Sequence, residues 1–298
     1  MSMPDYSAPE ALWEVGATLG EGVLWHAPSA SVYFVDIKQQ RIHRCDARGG
    51  RRMSWDAPAQ IGFLTPTSNG RWLAGLKGSL QYFDPASGAF THYCALEPEQ
   101  PNNRCNDGYV DAQGRLWFGT MDDGQQLATG ALYCCGADGV PRRADSNYII
   151  TNGPACSPDG ATLYHTDTLG LQTFAFRLDA AGQLHDKRVF ARFAGRGGHP
   201  DGMAVDTLGR VWIAIFGGSR IERYSADGEY LDSIAMPCSN ITKLAFGGPD
   251  LRTVFITTAR KDLSAAALAQ QPLAGAVFTL HSDVAGLPAH VLQLGGCA

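Results

Sequence analysis

No run of about 18 consecutive apolar residues occurs anywhere in the sequence, which excludes an ordinary transmembrane helix. The N-terminal stretch Met1-Ser-Met-Pro-Asp-Tyr-Ser has neither the basic segment nor the apolar core of a secretory leader, so a cytoplasmic protein is expected. The cysteines at 45, 94, 105, 134, 135, 156, 238 and 297 form no Cys-x-x-Cys pair, which argues against a structural zinc site. Cys134 and Cys135 are adjacent, which suits reduced buried thiols better than a disulfide framework. There is no arginine-rich segment and no run of like charges; 24 Lys and Arg stand against 29 Asp and Glu, for a net charge of -5. That balance gives no basic stripe, so neither a nucleic-acid nor a membrane partner is expected. A Gly-x-Ser-x-Gly elbow and a phosphate-binding glycine loop are also missing. Helix-length amphipathic segments are nearly absent, the best being the short Leu263 to Gln270.

What remains is short β runs between Gly, Asp and Pro turns, in a chain with 35 glycines. Laid beneath one another, these runs form six copies. Each has an apolar entrance run, a turn such as Ser68-Asn69-Gly70, Pro158-Asp159-Gly160 or Asp206-Thr-Leu-Gly209, and then a second run centred on an aromatic. Those aromatics are Tyr33, Trp72, Trp117, Tyr164, Trp212 and Phe255, about 40 to 48 residues apart, the period of a four-strand propeller blade. The copies account for residues from about 20 to 282. An open edge strand would be an aggregation hazard, and Leu12-Trp13-Glu14-Val15 is the natural strand to complete the last blade. The 298 residues are therefore read as one all-β domain, a six-bladed β-propeller with four antiparallel strands per blade, closed by the N-terminal strand.

The innermost strand of each blade lines the central channel. Counting back eleven or twelve residues from each aromatic gives one equivalent position per blade: Glu21, Ile61, Asn106, Asn152, Asp201 and Lys243. Four of the six carry oxygen, and most are followed at once by glycine. Any one of them is explained as an Asx-type turn satisfying backbone N–H groups. Four in register, converging on one axis, suit a hard or borderline divalent cation instead. Without a cation, Glu21 and Asp201 would repel and one of them would hold its proton.

Other candidates read as structural. His165 and His199 are expected near the mouth of the channel, each more readily satisfied by a hydrogen bond than by a metal, although His199 could contact substrate. Asp36, Asp167 and Asp206 sit at strand ends and turns. Cys105 lies between Arg104 and Asn106, and strand alternation sends it toward the blade core.

The segments Leu19-Gly20-Glu21-Gly22, Arg104-x-Asn106-Asp107, Trp117-Phe118-Gly119-Thr120-Met121, Asn152-Gly153 and Pro200-Asp201-Gly202-Met203 together resemble the SMP-30/gluconolactonase (regucalcin-like) family. Phe246-Gly247-Gly248, Thr258-Ala259-Arg260 and Gln271-Pro272-x-x-Gly275 carry the resemblance into the last blade. Val35-Asp36-Ile37-Lys38-Gln39 and His165-Thr166-Asp167-Thr168 look most like the bacterial sugar lactonases of pentose oxidation. The resemblance implies hydrolysis of an aldonolactone, with xylono-, arabinono- or gluconolactone as examples. It implies one divalent metal (Ca, Zn, Mn, Mg or Fe(II)) on Glu21, Asn152 and Asp201, with Asp201 also the general base. Ligation would weaken Asp201 as a base, so the attacking water could be held by the metal or by Asp201. The family's sugar contacts fall on Arg104, Asn106 and Asp123, the last shorter than the Glu of animal members. The partner is a small-molecule lactone, and a monomer or weak homo-oligomer is expected. Two rival functions fit the fold: a phosphotriesterase-like hydrolase, and a non-catalytic interaction scaffold.

Overall fold

Six four-stranded antiparallel sheets make up the fold, and the computed structural model describes residues 5–295. Cys297 and the first four residues of the N-terminal stretch lie outside the described residues. The first sheet runs from the channel outward as β2 (Gly20–His26), β3 (Ser31–Asp36), β4 (Arg41–Asp46) and β5 (Met53–Asp56). The second is β6 (Ile61–Pro66) to β9 (Phe90–Ala95), the third β10 (Asn103–Val110) to β13 (Pro141–Tyr148). The fourth is β14 (Thr151–Cys156) to β17 (Leu184–Arg192), the fifth β18 (His199–Val205) to β21 (Tyr230–Ala235). The sixth is β22 (Ile241–Gly247), β23 (Thr253–Thr258) and β24 (Val277–His281), completed by β1 (Glu10–Trp13). Neighbouring inner strands touch in sequence around the ring, and β22 returns to β2.

The closing strand is therefore the expected one, shifted two residues toward the N-terminus of the expected run; Glu10 faces Thr279 and Trp13 faces Val277. Pairing β24 with the start of the chain gives the last blade its fourth strand and ties the two ends of the chain together, with β1 as that blade's outer edge. A second seam forms where Trp25 of the first blade stacks on Phe255 of the sixth, ring centres 5.7 Å apart. The second-strand aromatics continue the inter-blade packing, with Tyr33 against Trp72 at 4.4 Å and Trp212 against Phe246 at 5.3 Å. One short helix, α1 (Ala265–Gln270), falls where amphipathicity was found, and Ser264 caps its first turn by accepting from the Ala267 N–H.

The turn between first and second strands has a repeated chemistry. Asp111 and Asp206 each accept two turn N–H groups, those of Gln113 and Arg115, and of Leu208 and Arg210, all at 3.0 Å. The second oxygen of each then takes the indole N–H of Trp117 or Trp212, at 2.8 and 3.0 Å. A carboxylate so engaged anchors the second-strand tryptophan to the turn, which accounts for the Asp-x-x-Gly-Arg-x-Trp spacing in both blades. Asp206 is structural, as expected. So is Asp36, which accepts from the backbone N–H groups of Thr18, Leu19, Lys38 and Gln39.

Candidate functional site

At the channel position every inner strand breaks register. The shifts fall between Glu21 and Leu24, Ile61 and Phe63, Cys105 and Gly108, Asn152 and Ala155, Pro200 and Met203, and Ile241 and Lys243. A bulge re-aims side chains that strict alternation would point into the blade. The pairs Asn152-Gly153 and Asp201-Gly202 are thus bulges within strands, where the sequence read turns. Glycine is required by crowding: a Cβ on Gly62 would lie 2.2 Å from the Asn106 carbonyl oxygen, and Gly153 has a left-handed φ of 46° with the Met203 N–H nitrogen 2.8 Å from a would-be Cβ. The residues beside these glycines are held where the inner strands crowd together.

Glu21, Arg104, Asn106, Asn152, His199 and Asp201 line one cavity of about 160 Å³ at one end of the channel. Of the six metal-ligand and sugar-contact candidates, five are therefore brought together, with His199 beside them. The sixth, Asp123, stands behind Arg104 and outside the cavity wall, accepting from Arg104 Nε at 3.1 Å, Lys38 Nζ at 2.6 Å and Gln60 Nε2 at 2.9 Å. Burial would raise its pKa, but these donors and the neighbouring cations hold it well below the usual carboxylate range. A larger cavity of about 220 Å³ opens at the other end, lined by apolar groups such as Val23, Val110 and Phe246. Its lining holds no carboxylate, so the smaller cavity, with Glu21 and Asp201, is the candidate site.

The amides are oriented by a directional chain. Arg104 Nη1 donates to Asn106 Oδ1 at 2.6 Å, Asn106 Nδ2 donates to Asn152 Oδ1 at 2.8 Å, and Asn152 Nδ2 donates to Thr168 Oγ1 at 2.9 Å. A guanidinium has no acceptor, so the first bond settles which atom of each amide is oxygen. Asn106 also donates to the Thr151 carbonyl at 2.6 Å.

The carboxylates are less well served. Asp201 Oδ1 is buried with no hydrogen-bond partner. Glu21 accepts from the N–H of its own neighbour Gly22 at 3.2 Å. Burial, and then repulsion from nearby carboxylates, pushes the pKa of both groups up. A third carboxylate, Asp107, was not foreseen as a channel group. It pairs with Lys243 across the ring and accepts from the Gly153 N–H at 2.9 Å. Glu21, Asp107 and Asp201 face Lys243 and the buried Arg104, which Asp123 also engages, so the buried carboxylates outnumber the buried cations and a bound divalent cation would offset the excess. No three His, Cys, Asp or Glu side chains form a metal cluster among the described residues. The candidate donors are two carboxylates and an amide, and this all-oxygen set fits a hard or borderline divalent cation.

The sequence model of the "SMP-30/Gluconolactonase/LRE-like region" matches residues 19–260. The chain belongs to the SMP-30/gluconolactonase family. Among its relatives, the 6-deoxy-6-sulfogluconolactonase of Pseudomonas putida is 36% identical over 272 residues, covering 91% of this chain and 93% of that protein. The L-arabinolactonase of Azospirillum brasilense is also 36% identical, over 274 residues, 91% of this chain and 90% of that one. Among solved structures, the calcium-binding regucalcin of Agrobacterium tumefaciens superposes with a TM-score of 0.92 at 29% identity, covering 97% and 98% of the two chains.

Two other sequence candidates for the mouth of this family site separate in the structure. His199 lines the cavity. His165 does not: it is fully buried against the Tyr148 ring at 4.7 Å, with neither ring nitrogen hydrogen-bonded, and desolvation pushes its pKa down to about 3. Cys105 is buried in the packed core of its blade, and burial raises its pKa, so it is not a nucleophile. The seven described cysteines are free thiols.

Proposed function

We propose that the protein is a divalent-metal-dependent hydrolase of sugar-acid lactones, opening an aldonolactone to its aldonic acid. The observation that carries this reading is the buried, unpartnered Asp201 Oδ1 beside the buried Glu21. Two relatives at 36% identity bear lactonase names, which supports the choice of substrate class.

Glu21, Asn152 and Asp201 would hold the cation, which when bound supplies Lewis-acid polarisation of the lactone carbonyl and charge stabilisation of the oxyanion. Asp201 has two oxygens, so one can face the cation while the other accepts the proton of the attacking water. The water oxygen bonds to the carbonyl carbon, the ring C–O bond breaks, and the proton passes to the departing ring oxygen as it becomes a hydroxyl. Arg104 and Asn106 orient the sugar hydroxyls. Asp123 positions Arg104, being bonded to it rather than lining the cavity.

The test is a panel of aldonolactones assayed beside an organophosphate, with wild type, Asp201→Ala and Asn152→Ala, before and after chelation. Lactone hydrolysis that is lost in both variants and on chelation supports the reading. Turnover of the organophosphate alone would assign a phosphotriesterase instead. No turnover of either would leave a binding scaffold.

A further inference from the structure

Charge is unevenly placed around the cavity, with a cationic cluster lying just behind the Arg104 side of its wall. Over the first three blades, Lys38, Lys77 and Arg104 converge on a single carboxylate, Asp123, at 2.6, 3.7 and 3.1 Å. Lys38 comes from the turn after β3, Lys77 from the turn after β7 (Trp72–Leu76) and Asp123 from just past β11 (Leu116–Asp122), so three blades build one cluster. A backbone bridge between Lys77 and Arg104 fixes the two cations side by side. On the later blades the lining is Ile150, Leu169 and Phe216 with one ion pair, Lys261 and Asp262, whose charges cancel each other.

Three cations share one anion, and their donors are not used up. Lys38 Nζ gives two of its three hydrogens, to Gln60 and Asp123. Lys77 Nζ is beyond hydrogen-bond reach of Asp123, and among the described residues its three donors make no hydrogen bond. Arg104 is buried, and among the described residues its Nη2 makes no hydrogen bond. The other carboxylates nearby, Asp36 and Asp122, spread their charge over backbone N–H groups. Lys38 and Lys77 are 26% and 33% exposed, so a bound molecule can reach them.

We propose that this cationic shoulder selects an aldonolactone carrying an anionic substituent at the end of the sugar remote from the carbonyl: a sulfonate, phosphate or carboxylate. The substituent takes the open donors of Lys77 and Lys38 and lies against the free edge of Arg104, while the lactone carbonyl reaches Asp201 across the cavity. Charge-assisted bonds of this kind are about twice as strong as neutral ones. A neutral sugar leaves the same cations to water. The inference rests on the lactonase reading and narrows its substrate.

The experiment measures kcat/KM for matched pairs of lactones of one sugar, neutral or terminally charged, with separate sulfonate, phosphate and carboxylate arms, and subtracts uncatalysed hydrolysis. A preference of about 10-fold or more for one charged arm is expected. That preference should fall about 5-fold in Lys77→Met and again in Lys38→Met, and should shrink on raising ionic strength from about 0.02 to 0.5 M. Equal rates for every pair, or a preference that survives both substitutions, overturns the inference and leaves the lactonase reading standing. No hydrolysis of any pair overturns both.

Discussion

Arg104 Nη1 donates to Asn106 Oδ1 across 2.6 Å, and through that bond the guanidinium decides which way the Asn152 amide faces, one blade further on. The carbonyl oxygen of Asn152 is held in the channel because each amide can only pass the donation along. A positive charge that is no metal ligand itself thus orients the oxygen proposed as one.

Replacing Asn106 by Asp breaks the relay without emptying the position. The new carboxylate still accepts from Arg104 but has no hydrogen to give Asn152 Oδ1. Loss of such an orienting partner typically costs 10–100-fold in metal affinity, so a fall of about that size is expected. Calorimetric titration of the chelated protein with the cation measures it, and unchanged affinity would show that Asn152 needs no orientation.

Lys243→Met removes the ammonium paired with Asp107 and leaves that buried carboxylate uncompensated. Breaking a buried pair in this way costs about 3–5 kcal/mol. Thermal unfolding in chelator should show that loss, and the double variant with Asp107→Asn should recover much of it. A single variant as stable as wild type would mean that the pair is solvated.

His165 makes stability sensitive to acid. Its folded pKa of about 3 lies below the unfolded value near 6.5, so between these limits the unfolded chain binds the extra proton. Stability therefore falls as pH drops below about 6.5, by about 2 kcal/mol between pH 7 and pH 5. His165→Phe removes this contribution and flattens that part of the pH profile. Equal slopes for the two proteins from denaturant melts would contradict it.

Much of this is legible in the sequence. The channel positions of Glu21, Asn106, Asn152 and Asp201 follow from counting back from the second-strand aromatics, because each blade repeats one spacing; singling out Glu21, Asn152 and Asp201 as a ligand set needs the family resemblance. Asp107 does not follow, since alternation sends it away from Asn106; the bulge between Cys105 and Gly108 turns both toward the channel. Its bond to Lys243 joins the third blade to the sixth, a separation of 136 residues that no local pattern encodes. For the same reason the gathering of Lys38, Lys77 and Arg104 around Asp123 became visible only once three blades stood side by side. His165 was misplaced because its strand position is clear from sequence but the neighbour it packs on, Tyr148, belongs to the preceding blade.

The central claim is one cation, held by Glu21, Asn152 and Asp201, serving lactone hydrolysis. Its most direct test is stoichiometric: metal-free protein is titrated with the cation while bound metal and lactonase rate are followed together. Both should rise to a break at one equivalent per chain, and Asp201→Asn should show neither. Full lactonase rate in the metal-free protein, or a normal titration by Asp201→Asn, would contradict the account.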